Sequence, residues 1–113
     1  MKHFMRLQNR YFAMIRDYLK TIELRLFDEK RRKINIGDKI EFLNIDTDES
    51  LLTVVEDIIT AASFDELCSI IDIKQTGFAD KISLLKEINN IYSVEKTRLY
   101  GVMAIKIKIA DKQ

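Results

Sequence analysis

The segment Lys20-Thr21-Ile22-Glu23-Leu24-Arg25 gathers the side chains best suited to chemistry in this chain. If residues 21–26 are extended, Thr21, Glu23 and Arg25 project from one face while Ile22, Leu24 and Leu26 build a core on the other. Lys20, just ahead of the strand, swings toward the same region from the end of a preceding helix. An ammonium, a carboxylate and a guanidinium converging in this way can hold a phosphate or the edge of a nucleobase. In a drier pocket, the same grouping would let Lys20 act as base or nucleophile with Glu23 as its proton carrier.

A second candidate is the basic run Lys30-Arg31-Arg32-Lys33. Lysine and arginine contacts to phosphates position a nucleic acid without reading its sequence. Asp28 and Glu29 lie beside the run and partly cancel its field. Phe27, Phe78, Tyr92 and Tyr100 are the aromatic residues that could stack on bases. His3 stands alone, with no second His or Cys at ligand spacing, so no metal site is expected. Cys68 sits beside Leu67 in a helical pattern with no His to activate it, as a buried thiol would. No phosphate-binding glycine loop, dinucleotide fingerprint or nucleophile elbow is present, and nothing calls for a cofactor.

These side chains need a scaffold, and the periodicity supplies one. Tyr11, Phe12, Ile15, Tyr18 and Leu19 recur at helical spacing, with Asn9 as the expected cap. At Thr21 the rhythm changes to the two-residue alternation of a strand. Gly37-Asp38 marks a turn into a second strand over 39–43, and 46–50 forms a polar hairpin loop. A third strand runs from Leu51 to Ile59, long enough to require a bend or bulge. Ser63-Phe64-Asp65-Glu66 matches a capping box, with Leu67, Ile70 and Ile71 on the apolar face of a short helix. Asp80 caps a longer helix whose Ile82, Leu85, Ile88 and Ile91 recur every three residues, and Ser93 starts a further helical turn. A last strand spans about Leu99 to Ile109. Its first half, Tyr100 to Ala104, is apolar on both faces and therefore central. Met1 to Leu7 adds an edge strand. The order is α+β, with a strongly bent sheet.

Composition agrees with one folded unit over residues 1–113. The chain of 113 residues is 47% hydrophobic and 33% charged, with three Gly and no Pro, which excludes collagen-like and low-complexity classes. A lone cysteine cannot form an internal disulfide, and no apolar run approaches the ~20 residues of a membrane helix. A soluble protein of the cytoplasm is the expectation, without a membrane partner. The net charge of +1 hides an asymmetry: residues 1–40 carry 11 Lys/Arg against 5 Asp/Glu, and residues 41–113 carry 8 against 13. Such a chain can offer a basic surface to a polyanion while staying near neutral.

Tyr18-Leu19-Lys20-Thr21-Ile22-Glu23-Leu24-Arg25 resembles the Gly-x-Lys-x-x-Glu-x-Arg signature of the ASCH family (activating signal cointegrator homology), with Tyr18 standing where the signature has Gly. Ile36-Gly37-Asp38-Lys39-Ile40-Glu41-Phe42, Ser63-Phe64-Asp65-Glu66-Leu67 and Tyr100-Gly101-Val102-Met103-Ala104-Ile105 are further matches in family order. The likeness is to the short, stand-alone prokaryotic members of this PUA-like superfamily. It implies a small β-barrel of five to six strands flanked by helices, and a cleft floored by Lys20, Glu23 and Arg25. It also implies a protein that binds RNA or a nucleotide-like small molecule, with Lys30, Arg31, Arg32 and Lys33 steering the backbone. The alternative it implies is a small hydrolase, an amidohydrolase on an acylated nucleoside or a ribonuclease, with Lys20 and Glu23 catalytic. Some small bacterial members hydrolyse such an amide with a Lys, a Thr and a Glu. Lys20 matches the lysine, Glu23 occupies the threonine's position, Thr21 is the nearest threonine, and Asp80 is the nearest carboxylate to the distal glutamate. A third reading is a protein-interaction domain that takes an acidic peptide in the same groove, its protein partner unknown.

Overall fold

A computed structural model describes residues 1–110, so the last three residues of the unit expected over 1–113 lie outside the described residues. Five strands form one sheet: β1 (Lys2–Leu7), β2 (Ile22–Leu26), β3 (Lys39–Asn44), β4 (Ser50–Ala61) and β5 (Val102–Ile109). Their order across the sheet is β1-β3-β4-β5-β2. β1 runs parallel to β3, and the other pairs are antiparallel. The helices are α1 (Asn9–Arg16), α2 (Phe64–Cys68), α3 (Lys81–Ile91) and α4 (Val94–Tyr100). Short 3₁₀ turns occupy Arg31–Lys33 and Ile73–Thr76.

The sheet curls because β4 is long and irregular. Its register against β5 slips between Val55 and Asp57, the bulge that its length called for. The curl brings the two edge strands together without pairing them. Arg25 Nη2 of β2 donates to the carbonyl of Arg6 in β1 at 3.0 Å, so one guanidinium straps an otherwise open seam. The architecture is therefore α+β, a five-stranded half-barrel with helices packed around it.

β5 divides the core. Met103, Ile105 and Ile107 join Phe12, Ile15, Ile40, Phe42 and Val55 in one apolar cluster. Val102 and Ala104 join Leu24, Leu26, Leu67, Leu84 and Ile88 in another. Burial on both faces is what the apolar run at the start of this strand predicted, although Leu99 and Tyr100 themselves belong to α4.

Several local expectations need correction. α1 is capped at Gln8, and Asn9 instead hydrogen bonds through its backbone to Asp46 and through its side chain to Asn44. α1 stops at Arg16, leaving Tyr18 and Leu19 exposed. The stop has a clear geometry: Leu19 N–H bonds Met14 O at 2.8 Å, and Tyr18 N–H bonds Ile15 O at 3.1 Å. That pattern needs a left-handed residue, and Tyr18 provides it at φ 63°. α2 is too short to use Ile70, which is exposed. In α3 the buried positions are Leu84 and Ile88, four apart, while Ile82 and Ile91 are largely exposed. A three-residue spacing drifts around a helix of 3.6 residues per turn, and the four-residue pair stays on the core side. The capping serines 63 and 93 and Asp80 all accept from backbone N–H groups as expected.

Candidate functional site

Alternation along β2 sends Ile22, Leu24 and Leu26 into one apolar cluster and turns Glu23 and Arg25 to the other face. There they stand opposite Ile105 and Met103 of β5, at the inner side of the curl. Lys20 reaches the same point from the turn after α1. Its Nζ donates to Ile22 O at 2.7 Å and Thr76 O at 3.0 Å, and lies 3.2 Å from Glu23 Oε1. The other oxygen, Glu23 Oε2, accepts from Arg25 Nε at 3.1 Å and Nη2 at 3.0 Å. Lys20 is 4% exposed and Glu23 6% exposed, so this is a buried ionic triad.

The triad is internally saturated at its centre. An ammonium has three N–H donors, and Lys20 has three acceptors for them. Burial pulls the Glu23 carboxyl upward, but the Lys20 ammonium and the Arg25 guanidinium outweigh it and hold it below the usual carboxylate range. Burial works against the Arg25 charge, and Glu23 more than compensates. Gly77 makes the Thr76 contact with Lys20 feasible. It sits at φ 89°, and a Cβ there would lie 2.7 Å from Met14 Sδ and 3.7 Å from Lys20 Cβ.

Beside the triad, at the seam between β1 and β2, opens a cleft of about 220 Å³. Arg6, Gln8 and Tyr11 form one wall, and Phe78, Glu87, Ile91 and Tyr92 face them. Tyr11 and Phe78 have ring centroids 6.2 Å apart, and Arg10 lies 4.8 Å above the Tyr11 ring. Tyr92 stacks on Phe64 at 5.6 Å. Several polar features of this cleft remain unclaimed among the described residues. Arg25 Nη1 has no acceptor, since the guanidinium's bonds use Nε and Nη2. Tyr11 Oη is buried without a hydrogen-bond partner. Glu87 makes no ion pair. Burial, opposed by Arg10 and reinforced by the nearby Glu87 carboxylate, raises the Tyr11 phenol.

A buried hydroxyl without a partner costs about 1–3 kcal/mol relative to one in water. Tyr11→Phe should therefore leave the free protein as stable as the parent or more stable by about 1 kcal/mol. Urea unfolding would show it, and a clear loss of stability would mean that the hydroxyl is already satisfied.

The other expected residues fall elsewhere. Thr21 does not share the cleft with Glu23 and Arg25. It precedes β2, donates to Gln75 Oε1 at 3.1 Å and lines a separate hollow. Asp80 is committed to capping α3, accepting from Ser83 N–H at 2.8 Å. The basic run is not part of the lining. Arg31 pairs with Asp28 at 2.8 Å, and Arg32 lies 4.2 Å over Phe27 and donates to Tyr100 O. Lys30 and Lys33 are on the exterior. Of the aromatic candidates, Phe78 and Tyr92 reach the cleft; Phe27 and Tyr100 do not line it. Tyr11 and Glu87 were missed. Tyr11 reads as helix core, and Glu87 reads as one of many helical surface charges. His3 bonds Asp38 at 2.8 Å, which, ahead of the Asn35 N–H, draws that carboxyl down to about 2. No helix among the described residues is long and apolar enough to cross a membrane.

The family model that matches is that of the ASCH domain, over residues 5–110. Among solved structures, the hypothetical protein PH0355 is 35% identical, with a TM-score of 0.86, covering 97% of this chain and 100% of its own. Protein PF0455 from Pyrococcus furiosus is 32% identical, with a TM-score of 0.78, covering 99% and 100%. An ASCH protein from Zymomonas mobilis shares the fold at a TM-score of 0.66 and 14% identity, covering 99% of this chain and 68% of its own. No curated protein matches the chain.

Proposed function

The chain belongs to the ASCH domain family, and on that footing we propose that its seam cleft binds RNA or a nucleotide, taking in a single base. One observation carries this reading. The charged triad is satisfied within the protein, while the cleft beside it keeps an arginine edge, a buried phenol and a carboxylate free next to aromatic walls. A heterocycle has flat faces for such walls and both donors and acceptors on its rim. At about 220 Å³ the cleft is below the ~300–1,000 Å³ usual for drug-sized ligands, which suits one base better than a stretch of strand.

The assignment of parts differs from the one read off the spacing. Lys20 and Glu23 hold Arg25 in place, and Arg25 Nη1 meets the ligand. Glu87 accepts from an amino or imino group of the base. Arg6 and Arg10, at the edge of the cleft, meet the flanking phosphates, and Lys30 and Lys33 add long-range attraction from the exterior. In the hydrolytic alternative, Lys20 would have to surrender contacts to Ile22, Thr76 and Glu23 before acting as a base or nucleophile. Binding requires no such rearrangement. Incubation with an acylated nucleoside tests that alternative, and turnover abolished by Lys20→Met in a folded protein would favour it.

Binding to a single-stranded RNA ten-mer, followed by fluorescence anisotropy across a salt series, tests the main reading. With two to four phosphates neutralised, log K should fall against log salt with a slope of about −1.4 to −2.8. Affinity that stays flat with salt, or no binding at low salt, would refute it.

A further inference from the structure

The turn that follows α1 separates two depressions, because Lys20 lines both the seam cleft and a second hollow of about 330 Å³. Tyr18, Thr21, Lys106 and Lys108 border that second hollow, with Ile107 and Ile109 between and beyond the lysines. Tyr18 is unusual in two independent respects. It occupies a left-handed backbone position that favours glycine, at φ 63°, and it is 74% exposed. A tyrosine gains nothing for the fold by standing there, since neither its backbone preference nor core burial supports it. Strain kept at an exposed aromatic points to work done by the ring. Lys106 and Lys108 alternate onto one exposed face of β5, and neither forms an ion pair among the described residues. Glu56 also lines the hollow; with Lys20 already paired to Glu23, two further cations stand against that one carboxylate. Thr21 has given its hydroxyl proton to Gln75 and keeps its lone pairs.

We propose that this hollow is a second RNA contact: the Tyr18 ring stacks an unpaired base, and Lys106 and Lys108 hold the adjoining phosphates. A strand with one base in the seam cleft would cross the Tyr18–Lys20 turn and continue onto β5. This inference rests on the RNA reading of the cleft and extends it from one base to a path. It also separates two ligand sizes, because a mononucleotide fills the cleft alone while an oligomer engages both places.

The test compares uridine 5′-monophosphate with a labelled ten-nucleotide uridine RNA on the wild-type protein and four variants, Arg25→Lys serving as the cleft control. Tyr18→Gly should raise the unfolding temperature, because glycine accepts the left-handed position, yet weaken the ten-mer roughly tenfold through lost stacking. Its affinity for the mononucleotide should not move. The Lys106→Gln/Lys108→Gln double variant should reduce the salt slope for the ten-mer by about 1.4, the share of two phosphate contacts on a single strand. Tyr18→Trp introduces the chain's only tryptophan, and its emission should be quenched by the ten-mer and not by the mononucleotide. The inference is overturned if Tyr18→Gly and the double lysine variant bind the ten-mer as the parent does while Arg25→Lys weakens it; the cleft reading then survives. It is equally overturned if Tyr18→Gly weakens both ligands alike, since the residue would then act on the cleft through structure. Should the parent bind no ten-mer at all, both readings fall together.

Discussion

Glu23→Ala should destabilise the protein by about 3–5 kcal/mol, the range seen when one member of a buried ion pair is removed and its partners stay behind. Lys20 and Arg25 would be left as like charges against the apolar interior, with Lys20 almost wholly out of solvent. The cost comes from the stranded partners more than from any net strength of the triad. Lys20→Met combined with Glu23→Leu should accordingly lose less than Glu23→Ala alone, because Arg25 still has Arg6 O and partial access to water. Urea unfolding of the two variants checks the order, and a Glu23→Ala change under about 1 kcal/mol would show that the triad is not structural. The pH dependence has a definite sign. The folded protein holds the Glu23 carboxyl below its ordinary value, so the unfolded chain takes up this proton first as pH falls. The contribution is therefore complete above the unfolded carboxylate pKa of about 4.3 and is lost as pH drops through the lower folded value. Glu23→Gln should flatten that acid limb.

The same triad explains how much of the site could be read from the letters. A two-residue period placed Glu23 and Arg25 on one face of a strand, and the exclusion of Ile22, Leu24 and Leu26 from that face was equally plain. The signature's leading glycine has a physical meaning as well, since that position takes the left-handed turn ending α1, which Tyr18 adopts here at φ 63°. What periodicity could not supply was the hydrogen-bond count. Whether Lys20 is a free base or a saturated anchor depends on Thr76, 56 residues away, and on the Gly77 turn that brings it close. Thr21 is placed differently from its expected position for a related reason. Alternation put it with Glu23, but it lies outside the regular strand and is held by Gln75. Glu87 and Tyr11 were invisible because each looks ordinary within its own helix. Only the curl of the sheet, set by the slip at Val55 and Asp57, brings α1 and α3 to opposite walls of one cleft. The basic run is a different case. Charge alone marked it as an interface, yet two of its four members are occupied within the fold.

Arg25→Lys should lower affinity for a mononucleotide by about 10–100-fold while leaving the fold largely intact, a loss of roughly 1.5–3 kcal/mol typical of hydrogen bonds to a charged group. The substitution keeps a cation next to Glu23, so the buried carboxylate is not abandoned. It cannot keep the geometry. The guanidinium spans three directions at once, with Nε and Nη2 on Glu23, Nη2 also on Arg6 O, and Nη1 left over for the cleft. An ammonium has three donors on one atom, and satisfying Glu23 and the seam carbonyl would leave little to present to a base. Isothermal titration with uridine 5′-monophosphate, paired with urea unfolding, separates the two effects. Equal losses in stability and binding would mean that Arg25 merely supports the cleft. Binding that survives Arg25→Lys unchanged would remove the guanidinium from the ligand's path, and with it the reason for placing a base at the seam. A large loss in affinity with a small one in stability would make the strap across the open half-barrel and the reader of the ligand the same side chain. In that case the sheet's failure to close is what leaves room for the base.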